Sequence, residues 1–196
     1  MGMAPEQHLK RRRHMEIHEA LEDIEIAFRQ LEFTIKLLSF CDLGNINPKD
    51  FDTDHIIMLE GGSLHFPVGH FSDADSLIRG ASISVLLAFS ASVLVLDKGF
   101  EVIGIKPDPK ATDNVGKLRA LIYLVRCAQA HGVADPRWEA RGRFGRTITV
   151  DLDGTPITLD LQAFNGERFH IDQLGGYLNW YRIRDAADRI FSAASK

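Results

Sequence analysis

Arg126 and His131 are residue types that can act on a phosphodiester. A histidine, with an ordinary pKa of about 6.5, takes or gives a proton near neutral pH. An arginine stays charged and presents a planar fork that matches phosphate oxygens, so it can hold the anion and stabilise its transition state. Cleavage by a neighbouring hydroxyl needs that hydroxyl deprotonated, the leaving oxygen protonated and negative charge stabilised. The pair supplies all three, and the chemistry requires no cofactor and no metal.

Both residues lie in Val125-Arg126-Cys127-Ala128-Gln129-Ala130-His131-Gly132. They close a stretch in which Leu118, Leu121, Ile122, Val125 and Ala128 recur at helical spacing. Asp113 or Asn114 can cap this helix after the linker containing Pro107 and Pro109, and Gly132 can stop it. Asp135-Pro136-Arg137-Trp138 follows. The arrangement resembles the HEPN family, whose members carry an Arg-x4-His or slightly longer motif at the end of a bundle helix. The Arg-Cys-Ala-x-Ala-His wording, with Pro-Arg-Trp soon after and a β-hairpin towards the C-terminus, resembles one subgroup of that family. The likeness is sharpest from Leu118 to Trp138.

The resemblance implies an up-and-down helical bundle and a metal-independent endoribonuclease. It implies cleavage of RNA by 2′-hydroxyl transesterification, leaving a 2′,3′-cyclic phosphate, with Arg126 and His131 as catalytic residues. A toxin, stress or phage-defence setting follows from the same likeness, with an antitoxin or regulatory protein as a possible partner. The family's commonest pattern has a polar residue after the Arg. Here Cys127 stands there, a weak donor with a supporting part at most and a small packed hydrophobe on the plainer reading.

Residues five apart on a helix are about 140° apart around its axis, so Arg126 and His131 do not share one face. One subunit alone would be incomplete. Family members act as dimers that bring two motifs together, so a twofold homodimer is expected here. The residues also leave open a non-catalytic helical module that binds RNA, a nucleotide or a partner protein. On that reading His131 only complements the helix dipole.

A net charge of -4 argues against indiscriminate coating of nucleic acid. Charge is nonetheless uneven. Lys10 to Arg13 form one basic cluster, and Arg137, Arg141, Arg143 and Arg146 form another, with Trp138 and Phe144 between them. From the second cluster, Arg137, Trp138, Arg141 and Arg143 are the candidate RNA contacts: guanidiniums for phosphate and an indole to stack on a base. A solvated charged face, with Trp138 packed under a hairpin, is the competing reading. His65 and His70 near Asp73 and Asp75 do not have a spacing that separates a metal site from a polar loop. His8, His14 and His18 read as a solvated helix face, and Asp151, Asp153 and Asp160 belong to a hairpin pattern.

These residues need a scaffold, and the pattern predicts a mainly α single domain over 1–196. A long amphipathic helix is expected over 1–42, from the recurrence of Ile17, Leu21, Ile24, Phe28, Leu31 and Ile35. A loop with little regular structure is expected over 43–72, where Asp, His, Gly and Pro are frequent. Core helices carrying the motif span 73–132. The first of them is capped near Asp73, is apolar almost all round and stops before Gly99. It should sit at the centre of a bundle or in a dimer interface. Alternating residues around Asp153-Gly154 predict a β-hairpin over 145–163. A last helix over 171–196 has Leu174, Leu178, Tyr181, Ile183, Ala187 and Ile190 as its inner face. Cys41 and Cys127 are too few for a disulfide framework, and no signal-peptide pattern precedes the first apolar run. The uncharged run from Gly80 to Leu96 falls short of a bilayer span. A cytoplasmic protein without membrane partners is therefore expected.

Overall fold

The computed structural model describes residues 5–130, Gly132 and residues 134–195. The protein is mainly helical. In chain order it contains α1 (Pro5–Asp42), α2 (Pro48–Phe51), β1 (His55–Leu59), β2 (Gly62–Phe66), α3 (Ala74–Val102) and α4 (Asn114–Ala130). These are followed by β3 (Thr147–Leu152), β4 (Thr155–Asp160), α5 (Leu161–Phe164) and α6 (Gly176–Ala194). The strands form two separate antiparallel pairs, β1 with β2 and β3 with β4. The chain divides into two compact units. Unit 1 is Met1–Ala27 with Ser90–Lys196, and unit 2 is Phe28–Phe89, so the boundaries fall inside α1 and α3.

Unit 1 is built on α4, whose Leu118, Ala120, Leu121, Ile122, Leu124, Val125 and Ala128 are all buried. Asp113 rather than Asn114 caps the helix, its Oδ1 accepting from the Gly116 amide at 2.8 Å. Asn114 instead ties the helix start to β3, donating to the Asp151 carbonyl at 2.8 Å and accepting from the Asp151 amide at 2.9 Å. The β3–β4 hairpin turns at Asp153 (φ 53°) and Gly154 (φ 83°), the left-handed pair its sequence calls for. Ile148, Val150, Leu152, Ile157 and Leu159 are buried, and their neighbours face solvent. α6 starts after Gly175, the delay that Gly175-Gly176 allows, because a short 3-10 turn occupies Ile171–Leu174. Its inner face is Trp180, Ile183, Ala186, Ala187 and Phe191, while Leu178 is 66% exposed. Trp180 donates its indole N–H to Ser92 Oγ at 2.9 Å.

α3 does not stop before Gly99. A Cβ at Gly99 would stand 2.8 Å from the Phe191 ring, so this glycine serves a close approach inside the helix rather than a stop. The stop comes at Gly104 (φ 80°), where the Gly104 amide meets Glu101 O and the Ile105 amide meets Phe100 O. α3 is thereby longer than its uncharged run. By length and composition it could cross a membrane: an 18-residue window has a mean hydropathy of 1.9, and 44% of that window is buried. Ile83, Leu87 and Leu94 are exposed, so the helix is covered less completely than its composition suggests.

Unit 2 corrects the expectation of a structureless loop over 43–72. Asn47 caps α2, and β1 pairs with β2 in a register that sets Ile57 opposite Leu64 and leaves Glu60 and Gly61 as the turn. The continuous apolar run Ile56-Ile57-Met58-Leu59 hides the alternation that normally betrays a strand. Asp52 Oδ2 closes the segment, accepting from the amides of Gly69 (2.8 Å) and Phe71 (3.1 Å). One buried cluster of this unit is Cys41, Leu77 and Ala81, with Leu37, Leu38, Ile46, Phe71 and Ile78 packed around them, and Phe28, Leu31, Val85 and Phe89 are buried as well. α3 is capped by Asp73, whose Oδ1 accepts from the Ser76 amide at 2.7 Å.

Candidate functional site

The motif helix places Arg119, Tyr123 and Arg126 on one side, since residues four and seven apart nearly repeat around the axis. Opposite them is Asp97 of α3, 6% exposed. Asp97 Oδ1 accepts from Arg119 Nη1, and the arginine is itself only 1% exposed. Arg119 also donates through Nε to the Ile105 carbonyl at 3.0 Å, and its guanidinium lies 5.6 Å from the Phe100 ring centroid and 5.9 Å from that of Tyr123. A buried charge needs such company, because an unpaired one is costly.

Arg126 occupies the outer end of this cluster. Its Nε stands 4.0 Å from Asp97 Oδ2, and its side chain is 43% exposed. One carboxylate therefore faces two guanidiniums, one sealed in and one open to solvent. Cys127 is partly buried and bonds to the Tyr123 hydroxyl. That bond and the neighbouring thiol push the Tyr123 phenol up, burial adds to the rise, and Arg126 opposes it. One turn on, Gln129 is buried and accepts from Ser90 Oγ at 2.8 Å, which fixes the last turn against α3. His131 lies outside the described residues. Gly132, with φ 144°, follows the helix in a conformation that favours glycine.

The second basic cluster does not form one surface. Arg137 pairs with Asp135 (Nε to Oδ2, 2.8 Å) and donates to the Gly166 carbonyl at 3.1 Å, and Asp135 also meets Arg168 at 3.6 Å. Arg137 stays exposed, yet its fork is already partly engaged. Trp138 is a correction to the expected base-stacking role: it is 2% exposed and belongs to the core. Its indole donates to Gln173 Oε1 at 2.8 Å, and its ring stacks on Phe164 at 6.1 Å and meets Phe169 edge-on at 5.1 Å. Alternating with arginines in sequence, it points inward because Arg137 and Trp138 sit on opposite sides of an extended segment that bridges to Arg168. Arg141 is open, its side chain 81% exposed and 3.9 Å from Glu139, beside a shallow cavity of about 300 Å³ that also touches Gln162 and Asn165. Arg143 is exposed on the 3-10 turn Gly142–Phe144. Arg146 turns inward, giving Nη2 to the Ala111 carbonyl at 3.2 Å.

Asp97 and Arg119 are the residues that sequence reasoning missed. A signal was present, since a carboxylate directly after the uncharged run of a helix apolar all round must meet a cation. His65 pairs with Asp54 at 2.5 Å, and among the described residues no three His, Cys, Asp or Glu side chains gather as a metal site. Compared with protein-family models, curated proteins and solved structures, the chain matches none.

Proposed function

We propose that the protein is a metal-independent endoribonuclease of the HEPN type, in which Arg126 and His131 carry the reaction. The observation that supports this most is Arg126: a guanidinium close to half exposed, on a buried helix, oriented from behind by Asp97. Such a group can take a phosphate into its open side while Asp97 limits its rotation. His131 removes the 2′-hydroxyl proton, the freed oxygen attacks phosphorus, and the imidazolium so formed gives that proton to the 5′-oxygen as its bond to phosphorus breaks. The product is a 2′,3′-cyclic phosphate. Arg141 and Arg143, both open, are the RNA contacts this reading retains from the basic cluster, with Arg137 in a lesser part.

On the same reading the active species is a homodimer, because two residues five apart on an ideal helix would face about 140° apart and one motif alone would be incomplete. A cytoplasmic setting and restraint by an antitoxin or regulatory protein belong to it too. The test is cleavage of a broad RNA panel by purified protein in EDTA. Arg126→Ala and His131→Ala should each lower the rate by about 100-fold or more while the helical circular dichroism is kept. Full activity in both variants would sink the assignment.

A non-catalytic module that binds RNA, a nucleotide or a partner protein is favoured by one observation. Cys127, where family members commonly have a polar residue, is partly buried and is engaged with Tyr123 of the same helix. Absence of cleavage, together with an RNA mobility shift that Arg126→Ala abolishes, would select it.

A further inference from the structure

A cavity of about 390 Å³ in unit 2, beside the β1–β2 hairpin, has the size and lining of a small-molecule site. Phe51, Phe66 and Phe71 supply aromatic walls, and Asp52, His55 and His70 are among its polar groups. Phe51 and Phe71 meet edge-on, their ring centroids 5.6 Å apart. Phe71 is seated from behind by α3. A Cβ at Gly80 would stand 2.7 Å from Phe71 Cε1, so the bare backbone there is what lets the ring lie against the helix.

The polar groups that the loop holds in place offer acceptors. Two backbone amides reach Asp52, from Gly69 at 2.8 Å and from Phe71 at 3.1 Å, and both go to Oδ2, so Oδ1 remains to accept. Among the described residues no Lys or Arg pairs with this carboxylate, and none lines the cavity. His55 Nδ1 donates to the Thr53 carbonyl at 2.8 Å, which makes Nε2 the acceptor of that ring.

The surrounding charge is predominantly negative. Residues 42–78 contain seven Asp or Glu against one basic residue, Lys49, so this stretch is more negative than the whole chain at -4. The neighbouring cavity, which shares His70 and Phe71, adds Asp73 and Asp75 against Arg79. Such a field draws cations and repels phosphate. Aromatic rings attract a cation through their quadrupole. A primary ammonium is strongly hydrated and needs an acceptor for each N–H, which phenyl walls do not give. Methyl groups on the nitrogen remove that need. We propose that this cavity binds a free quaternary ammonium ion, its cationic head among Phe51, Phe66 and Phe71 and its charge balanced by Asp52. Every residue of the site lies in unit 2 and none belongs to the motif, so the proposal holds whether or not the protein cleaves RNA.

Isothermal titration calorimetry of the full chain with choline chloride tests it, against 3,3-dimethylbutan-1-ol, which has the same shape with carbon in place of the charged nitrogen. Choline should saturate one site with a Kd of about 1 mM or below, and the neutral alcohol should bind about 10-fold more weakly or worse. Ethanolamine, the primary ammonium counterpart, should fall behind choline by a similar factor of about 10. Asp52→Asn keeps an acceptor for the two amides and removes the charge, while Phe66→Leu keeps an apolar wall and removes a ring from an exposed strand. Each should weaken choline by about 5-fold to 10-fold with unchanged circular dichroism. No saturable binding up to about 20 mM choline overturns the proposal, as does equal affinity for the alcohol or for ethanolamine. Choline affinity that survives both substitutions overturns it too. So does flotation with phosphatidylcholine vesicles in the absence of free choline binding, since a lipid head group would then be the occupant.

Discussion

The protein builds the same supersecondary unit twice, to opposite ends. β3–β4 and β1–β2 are both tight antiparallel hairpins of short strands. In β3–β4, Ile148, Val150, Leu152, Ile157 and Leu159 point into unit 1, and Thr149 and Thr158 meet across the outer face at 3.0 Å. In β1–β2 the apolar residues are more concentrated and none is buried. Hydrophobicity alone therefore does not say which hairpin is core. Alternation does: a strand with one wet face keeps polar residues on it, whereas β1 has apolar residues on both.

The largest effect expected from this contrast is a paired substitution. Val150→Asp places an unpaired carboxylate in a site that is 0% exposed and should cost about 3–5 kcal/mol or unfold unit 1. Ile57→Asp in an isolated chain should move stability by about 0.5 kcal/mol or less. Urea unfolding at concentrations low enough to keep the chain monomeric measures both, and equal losses would break the contrast. Next comes the buried polar pair. Asp97→Ala leaves Arg119 charged and sealed in, at an expected cost of about 3–5 kcal/mol, whereas Arg126→Ala should cost about 1 kcal/mol or less because that side chain is open to solvent. The same denaturation series compares them.

Gly99→Ala should cost about 1–3 kcal/mol by forcing the Phe191 ring aside. Gly61→Ala, with open space at its Cβ position, should be nearly silent, and thermal melts would show the difference. The smallest effect concerns Asp188 of α6. Burial raises its carboxyl above the ordinary value of 3.8, Arg184 acts in the other direction, and its Oδ1 is buried without a hydrogen-bond partner. A carboxyl raised in the folded state favours folding while protonated. Its contribution is therefore greatest below the unfolded value and is lost as pH rises through the folded one. Asp188→Asn should remove that loss, so the melting temperature of the variant should exceed that of wild type by a small margin at pH 7 and converge with it towards pH 4. A lower melting temperature at pH 7 would contradict this.

Much of unit 1 was legible because its elements obey simple periods. α4 and the β3–β4 hairpin lie close to where spacing and Asp153-Gly154 put them. What failed to read were residues whose role depends on a remote partner. Gly99 looked like a helix stop because nothing in sequence announces Phe191 beside it. Trp138 looked like part of a basic surface, and its partners Phe164, Phe169 and Gln173 come from later in the chain. Asp97 and Arg119 are distant in sequence, so their pairing was hidden although the need for a partner was not. Unit 2 failed differently, since its turn-rich composition masked strands whose apolar run does not alternate.

Gly99 carries one more implication, for recognising kin. Any chain that keeps α3 and α6 at this separation must keep a residue without a side chain at that place, or exchange Phe191 for something smaller in the same lineage. A search that scores only the Arg-x4-His motif will collect unrelated helices. One that also asks for a glycine two residues after a carboxylate, late in a long apolar helix, has a fingerprint of the scaffold itself.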